Sequence, residues 1–114
     1  MTSPRSVDDR LPLHPVEFRI LLALHDGATF GTRLVERIEV AEPAMTLYPA
    51  NLYRRIRDLL DGGLIEEAPA PADADPRRRY VRLTGLGRAV ARAEARRLAG
   101  LVAEAARHRL LTEG

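Results

Sequence analysis

Cysteine, tryptophan and lysine are all absent from this chain, and its 18 Lys or Arg positions are every one arginine. Without cysteine there is no disulfide framework, no thiolate nucleophile and no thiolate metal site. Arginine suits phosphate, but a complete lack of lysine reads first as the mark of a GC-rich coding sequence. Long apolar runs are missing too. The longest, Ile20 to Leu24, is far too short to span a bilayer. The opening MTSPRSVDDRLP has no apolar stretch of the kind a secretory signal carries. The expected compartment is therefore the cytoplasm, with no membrane partner. Catalytic sets are lacking as well. There is no Ser/His/Asp or Cys/His arrangement and no carboxylate pair in an apolar context, so the expectation is a protein that is not an enzyme. His14, His25 and His108 have no ligand spacing, and neither metal nor cofactor is expected. Gly85-Leu86-Gly87 follows a strand pattern and opens a helix, as a dinucleotide fingerprint does. Val90 stands at its third glycine position, however, and no second strand pattern follows.

What is present is one domain's length, 114 residues, with charge unevenly placed. Residues 1–76 hold 8 Arg and 13 acids, a net of −5, and residues 77–114 hold 10 Arg and 3 acids, a net of +7. The sign changes inside DADPRRRYVRLT, residues 73–84, which reads either as a solvated linker or as a grip for phosphate.

The spacing predicts four helices and a hairpin. Residues 1–12 are polar and proline-containing, a flexible lead-in. A first helix starts at Pro15, whose missing N–H costs nothing there, and stops at Gly27. His14 and His25 sit at its ends. Its apolar residues run nearly all the way round, so it needs cover on every side, from its own core and from another chain or the last helix. GTRLVERIEVA is the second helix, with Leu34, Val35, Ile38 and Ala41 in a stripe and Arg33, Glu36, Arg37 and Glu39 as solvated charge. Met45 to Leu47 reads as a short extended segment. The third helix opens at Pro49. It places Leu52, Ile56, Leu59 and Leu60 on one face and Ala50, Asn51, Arg54, Arg57, Asp58 and Asp61 on the opposite one. LIEEA and RRRYVRLT read as two strands joined by a turn-rich loop, a hairpin with Val81 and Leu83 facing inward. Thr84 then caps a long helix running to about Leu110. Its wide band of Ala91, Ala95, Leu98, Val102 and Ala105, flanked by Leu86, Val90, Ala93 and Leu101, calls for a packing partner.

Three helices followed by a two-stranded hairpin is the plan of a winged helix-turn-helix, here mainly α with a small β-hairpin and a long C-terminal helix. In that plan the third helix enters the major groove and the wing touches the backbone. Asn51, Arg54 and Arg57 have the chemistry to read adenine and guanine edges. Pro49 and Ala50 allow close approach. Tyr48 and Tyr53 read as rim and packing residues whose hydroxyls can meet phosphate. Arg77, Arg78 and Arg79 sit where the wing can hold phosphate. The bland alternative for each is a solvated charged face.

The run Tyr48-Pro49-Ala50-Asn51-Leu52-Tyr53-Arg54-Arg55-Ile56, continuing to Gly63-Leu64-Ile65-Glu66, resembles the S-P-G-T-L-Y-x-x-L…G-L-I-E pattern of PadR-like transcriptional regulators. Arg77 through Arg88 resembles that family's R-R-x-Y-x-L-T-x-x-G. Ile20 to Leu24 is similar to its opening helix, so the resemblance covers about residues 13–111. Phe30-Gly31-Thr32 stands where the family usually has His-Gly-Tyr, Tyr48 where it has a capping serine, and Gly85 where proline is common. The resemblance implies a winged-helix domain over residues 13–84 and a dimerisation helix over 85–111, as in the small subfamily. It implies a repressor that binds a pseudo-palindromic operator on double-stranded DNA as a homodimer. The first and last helices would form the interface, through Val16, Ile20, Leu24, Val90, Leu98, Leu101, Val102 and Ala105. Some relatives bind planar compounds in that interface, which makes a small-molecule effector a candidate partner. Two readings compete: a winged-helix protein-interaction or ligand-sensing module without specific DNA binding, and a MarR-like regulator, which needs longer terminal helices.

Overall fold

A computed structural model describes residues 7–45 and 47–112 of the chain. The elements are α1 (Pro15–Leu24), α2 (Gly31–Ala41), α3 (Pro49–Asp61), β1 (Ile65–Ala68), β2 (Tyr80–Leu83) and α4 (Gly85–Arg107).

Local chemistry accounts for both ends of α1 and for the start of α4. His14 caps α1: its ring accepts the Val16 N–H at 3.1 Å, and the Glu17 side chain accepts the His14 N–H at 3.1 Å. This reciprocal capping box satisfies two donors that the helix start leaves open. Gly27 follows α1 at φ +118°, a conformation that glycine alone adopts cheaply. Thr84 Oγ1 accepts the Gly87 N–H at 3.0 Å and opens α4. Tyr48 supplies no side-chain cap to α3, so Pro49 and the fold around it set that start.

The strands pair antiparallel with Ile65 opposite Leu83, Glu66 opposite Arg82, Glu67 opposite Val81 and Ala68 opposite Tyr80. Thr29 adds a single bridge on the other side of β2, through N–H···O bonds of 3.1 and 2.8 Å with Val81. That bridge carries Phe30 and the start of α2 to the edge of the hairpin.

The core joins all six elements. Ile20, Leu21 and Leu24 of α1 meet Leu34 and Ile38, Leu52 and Leu59, Leu64 and Ile65, Val81 and Leu83, and Val90 and Ala91. Gly87 marks the closest approach: a Cβ there would lie 1.9 Å from the Leu64 carbonyl oxygen. The Gly-Leu-Gly run thus serves a tight helix-on-strand crossing.

Several expectations need correction. Residues 7–12 are not a loose lead-in. Val7 and Leu11 pack against the core, and Arg10 Nη1 donates to the Gly62 carbonyl at 2.7 Å. Residues 1–6 of that lead-in lie outside the described residues, as does Thr46 of the expected Met45–Leu47 segment. Arg37 is not simply solvated; its Nη1 donates to the carbonyls of Ala23 and Gly27 at 3.1 Å each, tying α2 to the end of α1. Ala41 is exposed rather than part of the buried stripe. Ile20, Leu24 and Val90, expected at a dimer interface, are buried by their own chain and have no area to offer a partner. The apolar girdle of α1 is met by α2, α3 and α4, and Leu22, 41% exposed, is its main uncovered remainder.

Glu94 was also unforeseen. It is 2% exposed, accepts the Leu13 N–H at 3.0 Å through Oε2, and takes Arg97 Nε at 2.5 Å and Nη2 at 3.1 Å. The arginine's hydrogen bonds hold its carboxyl below the usual value of 4.5, against the opposing pull of burial. This group clasps the segment before α1 to α4.

Candidate nucleic-acid interface

On α3, Leu52 and Leu59 are buried, while Pro49, Ala50, Asn51, Arg54 and Arg57 are exposed, as is Tyr48 just before them. A helix fixed by two buried leucines holds these side chains outward in a set order. Tyr53 is exposed but not idle. Its ring lies so close to Gly31 that a Cβ there would meet Cε1 at 2.9 Å and the hydroxyl at 3.1 Å. Glycine at position 31 therefore lets α3 draw close to the start of α2.

The wing faces the same side. Arg57 and Tyr53 of α3 share a cleft of about 480 Å³ with Arg79 and Glu67 of the hairpin, above Ile56, Leu60 and Val81. A second cleft of about 380 Å³ lies between Tyr53, the start of α2 and Arg77, Arg78 and Arg79. The structure thus brings Tyr53 and Arg57 of α3 together with Arg77, Arg78 and Arg79 of the wing, while Tyr48, Pro49, Ala50, Asn51 and Arg54 are exposed but line neither cleft.

The three wing arginines are held differently. Arg77 donates its backbone N–H at 2.9 Å and its Nε at 3.2 Å to Asp75 Oδ1, and its Nη2 at 3.1 Å to Oδ2. Those bonds keep the Asp75 carboxyl below the ordinary carboxylate range. The Arg77 side chain nonetheless stays 89% exposed, so its remaining donors face solvent. Arg79 reaches back to Glu67 at 3.4 Å, a long contact between exposed groups that holds little. Arg78 lies over the Phe30 ring with its guanidinium carbon 4.2 Å from the centroid. Phe30 in turn meets Tyr80 edge-on at 5.2 Å. Two residues further into the strand, Arg82 pairs with Glu66 at 2.8 Å across the ladder.

The acids of the DADP segment thus have a place: Asp75 is consumed in the turn, accepting the Arg78 N–H through its backbone oxygen at 3.0 Å as well. Sequence reasoning missed the role of Phe30 at the wing. Phe30 reaches the wing only because Thr29 pairs with β2, which is a long-range event. The Asp75–Arg77 pair is two residues apart and is an Asx-turn signal that was there to be read.

Val16 of α1 is half-buried, as are Leu98 and Ala105 on α4, where Leu101 and Val102 are 50% and 54% exposed. Among the described residues no group of His, Asp and Glu is arranged to hold a metal, and no helix is long and apolar enough to cross a membrane.

Helix-turn-helix followed by a wing and a long C-terminal helix defines a winged-helix regulator fold, and comparison with known proteins gives the family. The model of the Transcriptional regulator PadR-like family matches residues 20–93. The chain belongs to that family, whose members are transcription regulators and not enzymes. Solved structures agree on the fold. A PadR family transcription regulator from Clostridium difficile has a TM-score of 0.71 at 16% identity, over 83% of this chain and 98% of that one. A PadR-like regulator from Bacillus cereus has 0.68 at 17%, over 96% and 99%. RosR of H. salinarum, in the complex structure of hsRosR-S1, has 0.65 at 26%, over 90% and 88%. No curated protein sequence matches the chain.

Proposed function

We propose that this PadR-like regulator binds double-stranded DNA sequence-specifically as a two-fold dimer and acts as a repressor in the cytoplasm. The observation behind the reading is that Arg57 and Tyr53 of α3 share clefts with the arginines of the wing, while Asn51 and Arg54 are exposed on the same helix. On this reading α3 supplies base contacts and the wing supplies phosphate contacts, with Tyr48 and Tyr53 at the rim. Two copies joined through Leu22, Val16, Leu98, Leu101, Val102 and Ala105 would set their reading helices about 34 Å apart, one DNA turn. A cleft of about 310 Å³ between Phe18 and Leu22 of α1, Met45 and Leu98 borders that surface, and an effector seated there would bear on the dimer. Thermal-shift screening against planar compounds tests this, with Leu98→Ala abolishing any shift.

The test of the main reading is fluorescence anisotropy with duplexes from the promoter beside the chain's own coding region. Arg54→Ala should cost about 1–3 kcal/mol on the preferred duplex and flatten its preference over a scrambled one. Equal affinity of wild type and variant for both duplexes contradicts base reading by α3. The pairing of Arg77 and Arg79 with Asp75 and Glu67 favours a second reading, a protein-interaction or ligand-sensing winged helix. Weak binding only at low salt, without preference, is what that reading expects.

A further inference from the structure

The wing carries three successive arginines, and they are not equivalent. Arg77 and Arg79 each face a carboxylate, from Asp75 and Glu67. No carboxylate makes a direct ion pair with Arg78 among the described residues, although its charge acts on Asp75 from a longer distance. Its guanidinium is held instead by the face of Phe30, 4.2 Å away. A ring face orients an arginine without spending its N–H donors or cancelling its charge. Phe30 is itself fixed from two sides: the adjoining Thr29 pairs with Val81, and the Phe30 ring meets Tyr80 edge-on. The turn adds a third restraint, since the Arg78 N–H donates to the Asp75 carbonyl at 3.0 Å. Arg78 therefore stands in a set position, with its charge intact, over the cleft between the start of α2, Tyr53 and the wing.

We infer that Phe30 is the positioning residue of the wing: its ring holds Arg78 over that cleft, where Arg78 takes a backbone phosphodiester of the bound duplex. This rests on the DNA-binding reading above and adds which wing arginine carries the contact and what aims it.

The experiment is a double-mutant cycle read by anisotropy on promoter duplex across a salt series. Arg78→Ala should lower the salt slope by about 0.9, the value of one phosphate contact. Phe30→Leu keeps apolar bulk and loses the ring face, and should weaken binding about 2–5-fold. Phe30→Tyr keeps the face and should restore wild-type affinity. In the Arg78→Ala background, Phe30→Leu should add nothing. An undiminished Phe30→Leu effect there means that Phe30 acts through the fold alone, and overturns the inference. Arg78→Lys leaves the core untouched and keeps the charge. It should bind more weakly than wild type if the stacked plane aims the contact, and equal binding overturns the inference too. A wild-type chain with no salt-dependent binding to any duplex overturns the DNA reading and this inference together. Wild-type binding without coupling between positions 30 and 78 overturns this inference alone.

Discussion

From Gly85 to Glu94, α4 lies in the body of the molecule, with Gly87, Val90, Ala91 and Glu94 buried. From Ala95 to Arg107 no residue of the same helix is buried, and Leu101 and Val102 are about half exposed. Composition and spacing do not change at the boundary: both halves are rich in Ala, Arg and Leu and carry an apolar band. The cover differs. α1, β2 and Leu64 lie over the first half, whereas among the described residues the second is covered only in part, where half-buried Leu98 borders a cleft with Phe18 and Leu22. A hydrophobic period says that a face wants cover and is silent about which chain gives it.

The largest effect on folding should come from breaking the buried half where it has no slack. Gly87→Ala sets a methyl carbon against the Leu64 carbonyl oxygen. The expected loss is at or beyond the upper end of the roughly 1–3 kcal/mol that overpacking costs, read by urea unfolding. Gly85→Ala, where a Cβ meets nothing within 4 Å, should be nearly silent.

Glu94 comes next. Glu94→Ala leaves the buried Leu13 N–H without its acceptor, at an expected cost of about 1–3 kcal/mol by thermal or urea unfolding. Because its carboxyl is held below 4.5, its contribution is fully present above that pH and is lost as pH falls through the lowered value. Wild type should therefore lose stability on acidification more steeply than Glu94→Gln. Parallel curves would contradict the clasp.

Leu101→Asp tests the open half. In a single chain this side chain is half exposed, so the fold itself should change by no more than about 0.5 kcal/mol. Light scattering should show the proposed dimer for wild type and a monomer for the variant. A dimer that survives the substitution, with Val102→Asp added, places the partner surface elsewhere.

The smallest effect belongs to the wing. Asp75→Asn frees Arg77 from its carboxylate and should leave the melting temperature unchanged, while binding to unrelated duplexes strengthens. Weaker binding to every duplex would mean that Asp75 orients Arg77 rather than competing for it.

Much of this was legible in the sequence where the signal is local. Pro15, Pro49 and Thr84 mark starts within one turn of themselves, and the leucines of α3 fall on one face by simple spacing. The exposed Asn51, Arg54 and Arg57 follow from that same spacing. What was not legible depends on distant neighbours. Ile20, Leu24 and Val90 looked like interface residues because the chain's own cover for them comes from elements tens of residues away. Glu94 carried no local signal, since its partner, the Leu13 N–H, is 81 residues off. Phe30 looked like a departure from a motif, and its meaning appears only once Thr29 sits beside β2.

The central claim is that α3 and the wing together hold DNA. Its most direct test is the salt dependence of binding to promoter duplex for wild type, Arg54→Ala and the double variant Arg77→Ala, Arg78→Ala. The account predicts that Arg54→Ala loses discrimination between promoter and scrambled duplex, and that the wing variant weakens both alike with a slope reduced by at least about 0.9, the value of the Arg78 contact. An unchanged slope in the wing variant, with discrimination intact in Arg54→Ala, would contradict it.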